Sequence, residues 1–286
     1  MPRDSECVLY VASCDAYSDL WPGFFHCLQR YWPDNPFPVF LGAEIKTADL
    51  PGVVTLHGPA GSAWTDRVLV HLRQISSRYI VFMLEDFFLR RRVDTAWMLD
   101  SLEFAKRNDA AMVRLIPRPP PQRHAATYPY IGASPDVHPY RVCTQAAIWR
   151  REDLIALLRP GESIWQFEAN PPTHSPGDDR RYFAASRLIL PYRGWVFHHV
   201  VEKGKFIPSE YWSFRMKGVP HTSSSRGLLS IRDFVLLLIA EISNRVFTGI
   251  AGTDAHRLRT KLMNKIPVAL VAYYRRLRRY PSDVSK

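Results

Sequence analysis

Long apolar runs are missing from this chain. The longest near the C-terminus runs only from Phe234 to Ala240, far short of the roughly 20 residues that a bilayer-spanning helix requires. Cysteine is scarce too. Cys7, Cys14, Cys27 and Cys143 form no Cys-x-x-Cys pair and have no histidine at zinc-finger spacing, so reduced thiols are expected. A P-loop, a Rossmann Gly-x-Gly-x-x-Gly, a Gly-x-Ser-x-Gly nucleophile elbow and a His-Glu-x-x-His helix are all absent. Their absence sets aside the P-loop nucleotide-hydrolase, Rossmann dinucleotide-binding, serine-hydrolase and zinc-protease classes. No internal repeat is visible. The opening Met-Pro-Arg-Asp-Ser-Glu lacks the charged-then-apolar pattern of a signal peptide, so a cytoplasmic protein is expected, soluble or peripheral on the inner face of the membrane.

What is present describes a folded chain. Of 286 residues, 47% are hydrophobic and 13% aromatic, which excludes intrinsic disorder. The net charge of +11 is unevenly placed. Between Ala255 and Lys286 stand Arg257, Arg259, Lys261, Lys265, Arg275, Arg276, Arg278, Arg279 and Lys286 against Asp283 alone, a balance of 9 − 1 = +8, leaving 11 − 8 = +3 for the rest. Polyanion binding is therefore a question about the tail. Its basic residues belong to no recognised nucleic-acid module, so no nucleic-acid partner is expected.

Hydrophobic patterning predicts alternating strands and helices. Cys7–Ser13, Pro38–Gly42, Val53–His57, Tyr79–Leu84 and Ala111–Ile116 read as strands. Between them come an aromatic helix around Phe24–Tyr31 and a helix capped by Ser62, whose Trp64, Val68, Leu72 and Ile75 share a face. A further helix is expected over Asp94–Arg107. The proline-rich stretch Pro117–Pro139 reads as a long loop, Val142–Trp149 as a strand, Arg151–Leu158 as a short helix and Trp195–Val201 as a strand. From Ser230 onward the spacing is helical: Val235, Ile239, Ile242, Val246 and Ile250 form one stripe, and Leu258, Leu262, Ile266, Ala269, Tyr273, Leu277 and Tyr280 a second. The expected architecture is α/β, a mostly parallel sheet flanked by helices over residues 1–222, with a basic amphipathic helical tail over 223–286.

Glu85-Asp86 is the most informative dipeptide. Two adjacent carboxylates directly after an apolar strand cost desolvation and mutual repulsion unless positive charge offsets them. A divalent cation does so, since Mg²⁺ takes one or two protein carboxylates and completes its shell with water and substrate phosphates. A strand simply ending at solvent would read the same way. In an open α/β sheet, ligands bind at the carboxyl ends of strands, where Asp15 and Glu85-Asp86 both fall.

Several short segments then occur in a familiar order: Val8–Trp21, Trp64-Thr-Asp-Arg67, Val81–Phe88, Gln145–Leu154 and Pro160–Glu168. Together, over Val8–Lys205, they resemble GT-A-type nucleotide-sugar glycosyltransferases of bacterial surface-polysaccharide biosynthesis. The resemblance implies a GT-A-like fold whose acidic motif holds Mg²⁺ or Mn²⁺ on the donor diphosphate. Asp86 would be the metal ligand and Glu85 would lie nearer the ribose or a metal-bound water. The usual motif is Asp-x-Asp, and this chain departs from it in having adjacent acids. The loop after the first strand would meet the nucleotide through Asp15, with Asp66 and Arg67 as further donor-binding candidates. As plain alternatives, Asp15 is a turn residue and Asp66 a first-turn helix acid.

Transfer to a hydroxyl also needs a base if the reaction inverts. Glu168, with Trp165 and Phe167 before it and a proline-rich segment after it, is the chosen candidate, because apolar neighbours would raise its pKa; Glu162, Asp178 and Asp179 are rivals, and a cap or ion-pair role is the alternative. Trp165 is a candidate platform for a sugar ring. Lys203 could neutralise phosphate and His199 could add a metal ligand. The expected function is transfer of a sugar from a nucleotide-diphosphate donor to a glycan or lipid-linked acceptor, with the basic tail on an anionic membrane surface. The alternatives are a non-catalytic scaffold of polysaccharide assembly and a nucleotidyltransferase. Against the latter, Ser13-Cys-Asp-Ala-Tyr17 contains no glycine.

Overall fold

The computed structural model describes residues 5–118, 120–125, 128–134, 141–169, 179–194, 196–221 and 226–250. The basic segment 251–286, with its second expected stripe, lies outside the described residues, as do Asp178 and Trp195. The chain divides into two compact units, Met1–Tyr192 with Val219–His221, and Arg193–Gly218 with Thr222–Lys286.

The first unit is built on a nine-stranded sheet. Its strands are β1 (Cys7–Ala12), β2 (Val39–Ala43), β3 (Val53–His57), β4 (Tyr79–Leu84), β5 (Ala110–Arg114), β6 (Arg123–Ala125), β7 (Tyr128–Ala133), β8 (Ala147–Arg150) and β9 (Arg181–Ala185), in the order β3-β2-β1-β4-β8-β5-β9-β7-β6. β2, β3 and β4 run parallel to β1 or to one another, and β9 runs parallel to β5. β8 is antiparallel to both β4 and β5, and β7 to both β9 and β6. β8 and β7 are thus the reversed strands of a mostly parallel α/β sheet flanked by helices.

The first unit's helices are α1 (Trp21–Tyr31), α2 (Trp64–Arg73), α3 (Thr95–Arg107), α4 (Arg151–Leu157) and α5 (Ile164–Ala169). Val8, Tyr10, Ala12, Ile80 and Phe82 pack with Val68, Leu72 and Ile75 of α2 and its C-terminal extension, and with Leu154 and Leu157 of α4. The intervening Leu9, Val11, Val81 and Met83 are equally buried. The central strands therefore have both faces covered, which is why their sequences are continuously apolar rather than alternating. Each such side chain contributes roughly 1.5–3 kcal/mol by leaving water.

Several expectations need correction. Ser62 does not cap α2. Its hydroxyl donates backward to the Pro59 carbonyl, and Ala63 holds the N-cap position. The stretch Pro117–Pro139 is not wholly loop, because β6 and β7 form an antiparallel hairpin within it. Pro129 is compatible with that hairpin because it falls in the register shift against β6, between the Gly132 and Tyr128 pairings, and outside the Ile131–Ala133 pairing with β9. The strand expected at Val142 begins only at Ala147. Trp195–Val201 is not a strand over its described residues until Val201, the start of a two-residue strand.

The second unit contains that short hairpin, β10 (Val201–Glu202) with β11 (Lys205–Phe206), and the helices α6 (Pro208–Met216) and α7 (Ile231–Ile250). Lys203 and Gly204 form its turn, both at positive φ (52° and 73°), as a tight two-residue hairpin turn requires. Val196, Phe197, Ile207, Leu229 and Leu237 make its core, with Phe234 and Leu238 packed against them. Among the described residues no helix is long and apolar enough to cross a membrane.

Candidate functional site

Because β1, β2 and β4 are parallel, their C-terminal ends share one sheet edge. The register aligns Ala12 with Leu84, so the loops opening with Ser13 and with Glu85 leave the sheet side by side. Glu44 leaves from the neighbouring end of β2. This edge gathers Asp15, Glu44, Arg67 and the Glu85-Asp86 pair.

Asp15 organises the loop after β2. Its carboxylate accepts from the backbone N–H groups of Glu44 (3.0 Å), Ile45 (3.1 Å) and Lys46 (3.1 Å). Partial burial by itself would raise its pKa, but these three donors outweigh burial and hold it below the usual range. The Asp15 amide in turn donates to Glu44 Oε2 at 3.1 Å. A cleft of about 350 Å³ opens beside this loop, lined by Ser18, Trp21, Lys46, Asp49 and Leu50 among others. Lys46 Nζ donates to Ser18 Oγ at 2.8 Å and to the Asp15 carbonyl at 3.3 Å.

Arg67, one turn into α2, pairs with Glu44 at 3.4 Å and donates to the Ser62 carbonyl. Asp66 faces a different loop, accepting from the Gly161 amide at 3.1 Å. A buried histidine sets the position of α2. His71 Nε2 lies 2.9 Å from the Ala43 carbonyl, which can only accept, so Nε2 carries the proton and Nδ1 accepts from the Tyr10 hydroxyl at 2.9 Å. Gly42 makes this approach possible, since a Cβ there would stand 2.5 Å from His71 Nδ1. Burial lowers the His71 pKa to about 4.

Glu85 is 7% exposed, and Asp86 Oδ1 is shielded from solvent. Burial raises the Cys14 thiol to about 11, with the charge of Glu85 adding to the shift and that of Arg67 opposing it. Glu85, Cys14 and Arg67 thus share one electrostatic neighbourhood. Phe87 stacks on Tyr192 at 4.6 Å. The Tyr192 hydroxyl donates to Gln145 Oε1 at 2.9 Å and accepts from the Ala146 amide at 3.3 Å. Burial holds the Tyr192 phenol protonated, and the charges of Arg114 and Asp86 act on it in opposite senses.

Arg114, the last residue of β5, is fully buried and reaches Cys143 Sγ at 3.7 Å. Glu168 on α5 is held by two bonds to one oxygen: the Thr144 amide and the Thr144 hydroxyl each donate to Oε1 at 2.7 Å. Trp165 on the same helix is 51% exposed, so core packing is not its role. Lys203 and His199 belong to the second unit. Lys203 is part of the hairpin turn, and His199 Nε2 lies 3.0 Å from Glu202 Oε2. The Glu162 amide donates to Thr65 Oγ1, and the Glu162 carbonyl accepts from the same hydroxyl.

Among the described residues no cluster of three or more His, Cys, Asp and Glu could cage a metal. The donor set of Glu85 and Asp86 fits a hard divalent ion only as Mg²⁺ or Mn²⁺ is held in phosphate sites, by one or two carboxylates with substrate oxygens completing the shell. Glu44, Arg114, Thr144, Gln145 and Tyr192 were not singled out from sequence. Arg114 carried a usable signal, a lone charge inside the apolar run Ala110–Ile116. Glu44 and Thr144 carried none.

No protein-family model matches the chain, and no curated protein matches it in sequence. Solved structures similar to it include S. aureus TarS 1–349, at 13% identity over 87% of this chain and 74% of that one, with a TM-score of 0.39. The same TarS fragment in complex with UDP-GlcNAc matches at 11% identity over 87% and 76%, with a TM-score of 0.37. 2-C-methyl-D-erythritol 4-phosphate cytidylyltransferase from Thermus thermophilus matches at 12% identity over 82% and 98%, with a TM-score of 0.33. So remote a likeness assigns neither family nor activity.

Proposed function

We propose that this protein is a GT-A-like glycosyltransferase that moves a sugar from a nucleotide-diphosphate donor to a glycan or lipid-linked acceptor. The observation that carries the reading is one sheet edge bearing a cleft of about 350 Å³ beside the segments that follow β1 and β2, and the Glu85-Asp86 pair, buried at Glu85 and half-buried at Asp86, at the end of β4. β2 and β4 are separated by one intervening strand, hence by ~10 Å at the usual strand spacing. A nucleoside diphosphate spans that distance, with its base beside Trp21 and Lys46 and its phosphates at the acidic pair.

In this reading Asp86, assisted by Glu85, holds the Mg²⁺ or Mn²⁺ ion of the donor. When bound, that ion neutralises charge developing on the departing diphosphate. Asp15 keeps the cleft loop in place through three amides, and Arg67, fixed by Glu44, supplies positive charge at the same edge. Asp66 acts at one remove by tethering Gly161 ahead of α5. Glu168 takes the proton from the acceptor hydroxyl as the new glycosidic bond forms, its carboxylate oriented by Thr144. Exposed Trp165 offers an apolar face to the acceptor sugar.

Calorimetric titration with UDP, GDP and CMP, each with and without Mn²⁺, tests the reading. One nucleotide should bind with Mn²⁺-dependent heat, and Asp86→Ala should abolish metal-dependent hydrolysis of the matching sugar donor. Absence of heat with every nucleotide would leave a scaffold role, and wild-type hydrolysis by the variant would remove the metal assignment.

A further inference from the structure

We infer that α7 carries a docking face for an anionic lipid surface, made by Ile231, Val235, Ile239 and Ile242. These residues recur at spacings of four, four and three, which places them along one line of the helix. They are 84%, 43%, 44% and 42% exposed. The helix does not lack a core-facing side: Phe234, Leu237 and Leu238 pack with Val196, Phe197, Ile207 and Leu229. The exposed stripe is therefore a second apolar face, additional to the one that folds the unit. Among the described residues of the unit, the other large exposed apolar side chains, Trp212 and Met216, lie one turn apart on α6, and tryptophan favours the boundary between water and lipid.

Charge identifies the occupant. The chain that continues from α7, residues 251–286, has the nine basic residues named above against Asp254 and Asp283. Whatever covers the stripe must accept the positive charge of the residues that follow it in sequence. A second copy docked through the same stripe would double the positive charge carried by one assembly, which like-charge repulsion opposes. An anionic bilayer attracts that charge instead, and apolar insertion with basic attraction is the pairing that holds interfacial helices. Arg232, Asp233, Glu241 and Arg245 interrupt the apolar sequence, so α7 lies on the bilayer and does not span it. This inference does not depend on glycosyl transfer.

The test is cosedimentation of the full-length protein with vesicles of phosphatidylcholine alone and of phosphatidylcholine with phosphatidylglycerol. The expected result is binding to the anionic vesicles only, weakened by added salt, with Val235→Ser/Ile239→Ser lowering the partition coefficient ~10- to 100-fold. Circular dichroism of that variant should match the wild type, since both positions are exposed, and Ile231→Ser alone should give a smaller loss in the same direction. Equal binding to neutral and anionic vesicles would overturn the inference, as would unchanged binding of the double variant. A concentration-dependent dimer in sedimentation velocity that the double variant dissolves would assign the stripe to a second copy instead.

Discussion

The buried Tyr10–His71–Ala43 chain gives the most quantitative expectation. His71 titrates at about 4 in the folded protein against a reference of 6.5, because burial disfavours the imidazolium. A depressed pKa means that the unfolded chain binds the extra proton first. Stability is therefore full above pH 6.5 and falls as pH drops toward 4. With those two values, the loss attributable to His71 between pH 7.5 and pH 5 is ~2 kcal/mol. Other carboxyl groups also titrate on the way down, so the measurement is a difference. Urea unfolding of wild type and His71→Leu should be followed across that range. Leucine removes the imidazole and leaves the Tyr10 hydroxyl and the Ala43 carbonyl buried without it, costing ~2–5 kcal/mol at neutral pH. The gap between the two proteins should then narrow by ~2 kcal/mol at pH 5, since only the wild type has the histidine to protonate. A gap that stays constant from pH 7.5 to 5 would refute the argument. The consequence reaches the site, because Ala43 precedes Glu44 and His71 lies one turn after Arg67. Loosening this clamp should also weaken nucleotide binding.

Two further substitutions probe the edge itself. Asp15→Ala removes the acceptor of three backbone amides at 44–46; nucleotide affinity in calorimetry should fall ~10-fold or more, with faster hydrogen exchange at those amides, and unchanged affinity would show that the loop needs no anchor. Thr144→Val deletes one of the two donors on Glu168 Oε1 while keeping the backbone one; kcat should drop ~10- to 100-fold with little change in KM, and Thr144→Ser should restore it. A loss confined to KM would show that Thr144 does not orient the base.

The framework was legible because its signals are local. β4 was readable to the residue, since six consecutive apolar side chains ending in two acids leave little choice of boundary, and the α2 stripe follows from spacing alone. β9 was invisible by the same logic. Arg-Tyr-Phe-Ala-Ala is short, begins with a charge and becomes a strand only by hydrogen bonding to β5 on one side and β7 on the other. The β6–β7 hairpin was hidden by prolines that a strand tolerates wherever no partner needs their missing N–H. The site divides along the same line. Glu85 and Asp86 announce themselves through the cost of two neighbouring charges, a property of the dipeptide. The relation of Thr144 to Glu168, and of Tyr10 to His71, exists only after the sheet has assembled, because the partners stand 24 and 61 residues apart. Arg114 lies between these cases. A guanidinium in a buried strand must find compensation wherever the chain leads. Its sequence context therefore shows that it needs polar company, while only the fold reveals Cys143 as a contact and Tyr192 as a group that feels its charge. The residues that set the electrostatics of this edge are thus mostly those with no local pattern. Substitution there should alter binding more than fold, because the apolar strands beneath specify the sheet independently of them.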